Sequence, residues 1–247
     1  MPTQPLTLPP LSLYIHIPWC VRKCPYCDFN SHTADSELPE EAYIDVLLKD
    51  LESDLPYAQD RPLQSIFIGG GTPSLFSAQA IGRLLQATKK RINFVDDIEI
   101  TLEANPATFE QDKFTDYHSI GINRLSIGIQ SFNDHSLRAL GRIHSATEAA
   151  TAIEQARCAG FDNINLDLMH GLPDQSVESA MADLHRAIEQ GVEHISWYQL
   201  TIEPNTAFYR QPPPLPAEDL LADIQQQGHQ LLADNGYQQY EVSAYAQ

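Results

Sequence analysis

Leu11-Ser-Leu-Tyr-Ile-His-Ile17, followed closely by Cys20-Val-Arg-Lys-Cys24-Pro-Tyr-Cys27, decides how this chain is read. The first run is strand-like, with apolar and polar side chains alternating as they do when one face is buried and the other open. The thiols on the loop after it are soft metal ligands. Three of them can hold three irons of a four-iron cube and leave the fourth iron open to an exchangeable ligand. On the residues alone two other uses stay open: a structural zinc completed by His16 or His32, and a disulfide. Zinc sites favour paired Cys-x-x-Cys units, and a disulfide would leave one thiol over. The remaining cysteine, Cys158, closes the helical pattern Ala152-Ile-Glu-Gln-Ala-Arg-Cys158, which Gly160 stops. It is expected at the opposite end of an α/β repeat from the loop, as a buried, small apolar residue.

Working outward, strand-like runs recur at 64–69, 98–105, 124–130, 163–169 and 194–201. Helical patterns lie near 38–55, 77–90, 108–119, 145–159, 176–190 and 217–234. Thr108-Phe-Glu-Gln111 and Ser145-Ala-Thr-Glu148 are capping boxes at sequence level. Gly121, Gly160, Gly191 and Gly236 each follow a helical pattern and precede an apolar residue and a short approach to a strand, the signature of a C′ glycine. This recurrence predicts an α/β fold with a parallel sheet of about six βα units, a partial or near-complete (β/α) barrel. An eightfold barrel takes about 250 residues; this chain has 247. A doubly wound open sheet is the alternative. Residues 1–10 read as an N-terminal extension and 11–247 as one barrel domain, with Gln211-Pro-Pro-Pro-Leu-Pro216 a stiff loop before the last helix.

The two strand faces differ. Leu13, Ile15, Ile17, Ile100, Leu102, Leu125, Ile127, Ile129, Ile164, Leu166 and Leu168 make one face apolar, and this face is expected to meet the helices. The other carries Tyr14, His16, Thr101, Glu103, Asn105, Ser126, Gly128, Gln130, Asn165 and Asp167. Ordinary barrels fill their interior with Val, Ile and Leu, and an unsatisfied buried polar group costs about 1–3 kcal/mol. A polar interior therefore predicts a ligand, the alternative being a hydrogen-bond network satisfied by water. These residues gather toward the C-terminal strand ends, where α/β sheets place their sites. Gly69-Gly-Gly-Thr-Pro73 and Gly171-Leu-Pro-Asp-Gln175 leave the same rim. The glycine run lets main-chain groups approach a ligand closely, yet it is neither a P-loop nor a Gly-x-Gly-x-x-Gly fingerprint.

With 33 acidic and 15 basic residues the formal charge is −18, which opposes binding to a phosphate backbone; nucleic acid is not an expected partner. Lys89-Lys90-Arg91 reads as a solvated helix end. The N-terminus lacks the basic and apolar regions of a signal peptide, and no apolar run approaches membrane-spanning length, so a cytoplasmic protein with reduced thiols and no membrane insertion is expected.

The cysteine loop with Tyr26 before its third thiol, and the Gly-Gly-Thr-Pro run, resemble the radical S-adenosylmethionine (SAM) superfamily. More narrowly the chain resembles the oxygen-independent coproporphyrinogen III oxidase family, and within it the HemW-type haem chaperone branch. The segments that carry this span residues 14 to 206: Tyr14-Ile-His-Ile-Pro-Trp-Cys20, Gly69-Gly-Gly-Thr-Pro-Ser74, Glu103-Ala-Asn-Pro106, Ser126-Ile-Gly-Ile-Gln-Ser-Phe132, Leu140-Gly-Arg-Ile-His144, Asn165-Leu-Asp-Leu-Met-His-Gly-Leu-Pro-Asp-Gln175 and Trp197-Tyr-Gln-Leu-Thr-Ile-Glu-Pro-Asn-Thr206. The resemblance implies a [4Fe-4S] cluster on Cys20, Cys24 and Cys27, with SAM on the fourth iron. It implies SAM contacts from Tyr14, Gly70, Gly71, Thr72, Glu103, Gln130, Arg142 and Asp167, with Tyr26 near the adenine or covering the cluster. Arg142 enters through the resemblance only; without it the residue reads as a surface ion pair after a short helix.

The family chemistry this implies is one-electron cleavage of SAM, with the protein keeping solvent and oxygen out of the lumen. No acid or base is assigned among the side chains, since Asp167, Glu103 and His170 read more simply as positioning groups. Within the family, the oxidases carry a further cysteine two residues after the third ligand. This chain has Phe29 there, as the haem chaperone branch does. The resemblance therefore implies a haem-trafficking protein that binds haem or a porphyrin and passes haem to an acceptor, such as a respiratory enzyme. The alternative is a radical SAM enzyme, either a coproporphyrinogen III dehydrogenase or one running another radical reaction. Family members usually continue into a C-terminal domain, and the haem-associated His-Asn…Tyr-Trp pattern expected there is not found in these residues.

Overall fold

β1 (Leu11–Ile17) leads at once into β2 (Trp19–Cys20), which pairs in parallel with β3 (His32–Thr33) and ties the cysteine loop at its base. The computed structural model describes residues 7–34, 37–107 and 113–247. The capping box expected at Thr108–Gln111 lies outside them.

β1 also pairs in parallel with β4 (Leu63–Gly70), and thereafter each long strand pairs with its successor: β5 (Phe94–Ala104), β6 (Arg124–Gln130), β7 (Ile164–His170) and β8 (His194–Gln199). A doubly wound sheet would reverse this order partway; here it never reverses, which is the winding of a barrel. β9 (Gln238–Glu241) and β10 (Ala244–Ala246) add an antiparallel hairpin through β10, giving the eight-stranded order β1-β4-β5-β6-β7-β8-β10-β9. β1 and β9 remain as edges, so the sheet is a partial barrel.

Helices α1 (Glu40–Ala58), α2 (Ala78–Lys89), α3 (Phe114–Ser119), α4 (Asp134–Ala139), α5 (Ala146–Cys158), α6 (Val177–Glu189), α7 (Ala207–Arg210) and α8 (Glu218–Asp234) join the strands. The face expected to meet them does: Ile17, Leu102, Leu125, Ile127, Ile129, Ile164, Leu166 and Leu168 are fully buried in one core with helix residues such as Ile44, Ile81, Ile153, Leu184 and Ile224. Each such side chain contributes about 1.5–3 kcal/mol by leaving water. The helix stops behave as read, since Gly121, Gly160, Gly191 and Gly236 all have positive φ, which other residues adopt at a cost. The capping box at Ser145 forms, Ser145 accepting from the Glu148 amide and Glu148 Oε2 from the Ser145 amide.

Cys158 corrects an expectation, because it is exposed. The buried stripe of α5 runs through Ala149, Ala152, Ile153 and Ala156. Two residues beyond Ala156, a 3.6-residue period turns the side chain outward. The position does hold: α5 ends just before β7 begins, at the far end of the barrel from the cysteine loop.

Candidate cofactor site

The polar strand faces and the cysteine loop enclose one cavity of about 560 Å³ at the C-terminal rim, a volume in the range of small-molecule sites. Cys20, Cys24 and Cys27 lie on its wall with Tyr26, and β4, β5, β6 and β7 supply Gly70, Glu103, Gln130 and Asp167. The sequence thus places two families of residues, thiols and lumen polar groups, at a single opening.

Cys20 is buried and the other two thiols are half-buried; none is in a disulfide. Burial pushes the Cys20 thiol up, hydrogen bonds from Thr72 and Ser31 oppose it, and Cys27 and Cys24 add to it, so the three sulfurs are electrostatic neighbours. Among the described residues no three His, Cys, Asp or Glu side chains converge on one ion. A structural zinc completed by His16 would need that ring free. His16 is committed elsewhere: its Nε2 lies 2.8 Å from the Asn30 carbonyl, leaving Nδ1 to accept from the Tyr14 hydroxyl at 2.9 Å.

The glycine run serves the cysteine loop before it serves any ligand. The Gly71 amide donates to Ile17 O at 2.8 Å and the Thr72 amide to Trp19 O at 2.7 Å. A Cβ on Gly71 would stand 2.6 Å from the Trp19 carbonyl oxygen and 2.8 Å from Pro18 C, so only glycine admits this approach. The Gly70 amide donates to Glu103 Oε2 at 3.0 Å. These three amides are therefore occupied; Thr72 also lines the cavity, and its hydroxyl accepts from Asn105 Nδ2 at 3.0 Å.

Two carboxylates face the lumen. Asp167 accepts from Ser126 Oγ and Asn165 Nδ2, each at 2.9 Å. Burial raises its pKa, while those two bonds pull it down. Glu103 is pushed from 4.5 up to about 7, first by burial and then by Asp167, with the Gly70 amide opposing. Two carboxylates on the wall of one cavity suit a ligand that brings ammonium and hydroxyl groups or positive charge.

The sign of the resulting pH dependence follows from the raised pKa. The contribution of Glu103 to stability is full below its ordinary pKa of 4.5 and falls as pH rises through about 7. Between about pH 5 and pH 8 the unliganded protein should lose up to about 3 kcal/mol that Glu103→Gln does not lose. Denaturant titrations of both proteins at the two pH values check this, and equal losses would contradict the assignment.

The end of β6 is strained into the cavity. Its register with β7 shifts between Gly128 and Gln130, and Gln130 has φ +62, a conformation costly for a side-chain-bearing residue. The turn after it holds the strain: Asp183 on α6 accepts from Ser131 Oγ at 2.6 Å and from the Phe132 amide at 2.7 Å, and Arg186 Nη1 donates to Phe132 O at 3.0 Å. The Gln130 amide bonds Tyr198, whose pKa is raised chiefly by burial, while Gln130 Oε1 is buried with no partner. Arg142 is not a surface ion pair. Its Nη2 donates to Asn105 Oδ1 at 2.5 Å and Gly128 O at 2.8 Å, its Nη1 to Cys24 Sγ at 3.7 Å, and its Nε is buried and unpartnered. Unsatisfied buried groups are rare in folded proteins; two beside one cavity fit a polar ligand, with the guanidinium suited to a carboxylate.

Tyr14 stands apart. It is 57% exposed, stacked on Phe67, and absent from the cavity wall. Tyr198, Asn105 and Ser196 join the wall beyond the residues named from the resemblance. Alternation along β8 would have found Ser196 and Tyr198, since both fall on its lumen face opposite buried Ile195 and Trp197.

A sequence model described as the Radical SAM superfamily matches residues 14–187. The chain is 63% identical over 243 residues to the haem chaperone HemW of Haemophilus influenzae, covering 97% of this chain and 63% of that protein. It is 59% identical to the haem chaperone HemW of Escherichia coli, with the same coverage of each, 97% and 63%. It thus spans 63% of the length of these curated relatives. Among solved structures, coproporphyrinogen III oxidase (HemN) from Escherichia coli, described as a radical SAM enzyme, aligns with a TM-score of 0.86 at 30% identity, over 96% of this chain and 56% of that one.

Proposed function

The chain belongs to the radical SAM superfamily, and from that premise we propose that it is the cofactor-bearing part of a haem-trafficking chaperone, holding a [4Fe-4S] cluster and SAM. The observation that carries this reading is the single cavity shared by the cysteine triplet and the polar lumen, in a chain 63% identical to a haem chaperone. Cys20, Cys24 and Cys27 would bind the cluster. Glu103 and Asp167 would take the amino and hydroxyl groups of SAM, Arg142 its carboxylate, and Gln130 its remaining polar edge, with Gly70, Gly71 and Thr72 lining the methionine end. Tyr26 would cover the ligand from the loop, and Tyr14 would serve only at the outer margin. When bound, cluster and SAM supply one-electron chemistry. The chain's own residues bind, orient and exclude water, and none is assigned as an acid or base. Haem, an acceptor protein such as a respiratory enzyme, and a cytoplasmic location complete the reading. Among the described residues no helix is long and apolar enough to cross a membrane.

The similarity to the oxidase favours a second reading, oxidative decarboxylation of coproporphyrinogen III. Phe29 speaks against it: where the resemblance expects a further thiol in an oxidase, this chain places a 61% exposed phenyl ring. The test incubates the reduced, reconstituted protein with SAM and, separately, haem or coproporphyrinogen III. 5′-Deoxyadenosine, decarboxylated product and haem transfer to an apo-acceptor are followed. Haem transfer without decarboxylation is the expected result, and decarboxylated product would overturn the chaperone reading.

A further inference from the structure

Glu203-Pro-Asn-Thr206 and the short helix after it have no part in the roles above, yet that helix touches the cysteine loop through Phe208. A second apolar cluster, separate from the main core, gathers Leu140, Met169, Leu172, Leu200 and Phe208, with Tyr26 and Tyr198 packed against it. The Phe208 amide donates to Pro25 O at 2.9 Å, and the Phe208 and Tyr26 rings lie 6.3 Å apart. Gly141, at φ +69, also faces Pro25 so closely that a Cβ would meet its Cδ at 2.8 Å. Phe208 is itself fixed, because Thr206 Oγ1 donates to Glu203 O at 2.7 Å and accepts from the Tyr209 amide at 3.1 Å.

We propose that Glu203–Phe208 is a clasp for the cysteine loop, and that Phe208 is a positioning residue holding Cys24 and Cys27 where a cluster needs them. The inference rests on reading the triplet as cluster ligands. The base of the loop is already closed by the β2–β3 ladder and by Lys23 Nζ, which donates to Phe29 O at 2.9 Å and Ser31 O at 3.2 Å. Its tip, Pro25-Tyr26, is held by Phe208 and Gly141. Ordering each backbone residue costs about 1–2 kcal/mol, so a tip without its clasp opens more often. Each opening exposes the metal centre to attack, and loss then follows the open population. Glu203 lines the cavity, as do Tyr26, Met169, Tyr198 and Leu200 around Phe208, so the clasp abuts the cavity wall.

The test compares wild type, Phe208→Ala, Phe208→Leu and Tyr209→Ala, whose side chain is 57% exposed on the same helix. After anaerobic reconstitution, iron and sulfide content and the rate of bleaching by an iron chelator are measured. Hydrogen exchange at residues 20–27 is measured on the unreconstituted proteins. Phe208→Ala should bleach about tenfold faster than wild type and lose protection at residues 24–27, with the central strands unchanged. Phe208→Leu and Tyr209→Ala should stay near wild type. Bleaching at the wild-type rate would overturn the clasp, as would exchange raised throughout the sheet. Should Phe208→Ala fail to fold, Thr206→Ala, which frees the turn without emptying the cluster, carries the same measurements. If wild type takes up no iron, the cluster reading fails, and unchanged protection at residues 24–27 in the variant then overturns the clasp independently.

Discussion

Cys24→Ala, reconstituted anaerobically with iron and sulfide, should lose the brown, oxygen-sensitive chromophore altogether while keeping its fold. Cys24 is the middle thiol of the loop and contributes nothing to either apolar cluster, so its removal subtracts a ligand and little packing. Two thiolates cannot replace three on a cube whose fourth iron already lacks a protein ligand. No other thiol can step in, because Cys158 is exposed at the end of α5 on the far side of the barrel. Iron and sulfide content and the visible spectrum measure the loss, with Cys158→Ala as the variant that should reconstitute normally. A wild-type protein carrying one zinc and no sulfide, or a Cys24→Ala protein with full iron and sulfide, would end the cluster assignment.

The contrast between Cys24 and Cys158 shows what a sequence makes legible. The loop thiols were readable because spacing along a short loop limits where side chains can go. Cys158 departs from the buried position its pattern predicts because helix placement depends on phase, and a two-residue step from Ala156 moves a side chain from core to solvent. Strand alternation found Glu103, Gln130 and Asp167 for the same reason that spacing found the loop: a period of two leaves little freedom. It could not foresee the slip between Gly128 and Gln130, because a bulge changes the register without a fixed residue signature. The winding order separated barrel from doubly wound sheet, and only pairing between strands could supply it. Arg142 lies on a loop without period. His144 Nε2, 3.1 Å from Ile129 O, ties that loop to β6 and so turns the guanidinium inward, a contact no local pattern encodes.

Asp167→Ala should weaken SAM binding about ten- to a hundredfold while leaving iron and sulfide unchanged. The carboxylate stands at the centre of a lumen network: Ser126 and Asn165 donate to it at 2.9 Å, and Ser196 Oγ reaches Asn165 Oδ1 at 3.1 Å. Those groups are spent on orienting Asp167, which leaves its charge directed at whatever fills the cavity. Removing it deletes a charged hydrogen-bond acceptor, worth about 1.5–3 kcal/mol to the ligand; the donors it leaves behind are orphaned with and without SAM and weigh on stability, not affinity. Each 1.4 kcal/mol is about tenfold in affinity, so the lost contact alone gives the stated range. The hydrogen bonds of Asp167 go to Ser126 and Asn165 and not to the three cysteines, so cluster assembly should not change. Titration of the reduced cluster's electron paramagnetic resonance signal with SAM measures the affinity, and Asp167→Asn, which keeps one acceptor, should fall between. An affinity within about threefold of wild type in Asp167→Ala would remove the residue from the SAM site. Because Asp167 also helps raise the pKa of Glu103, the same variant should bring the Glu103 carboxyl back toward its ordinary range, a shift that carboxylate titration would detect independently of SAM.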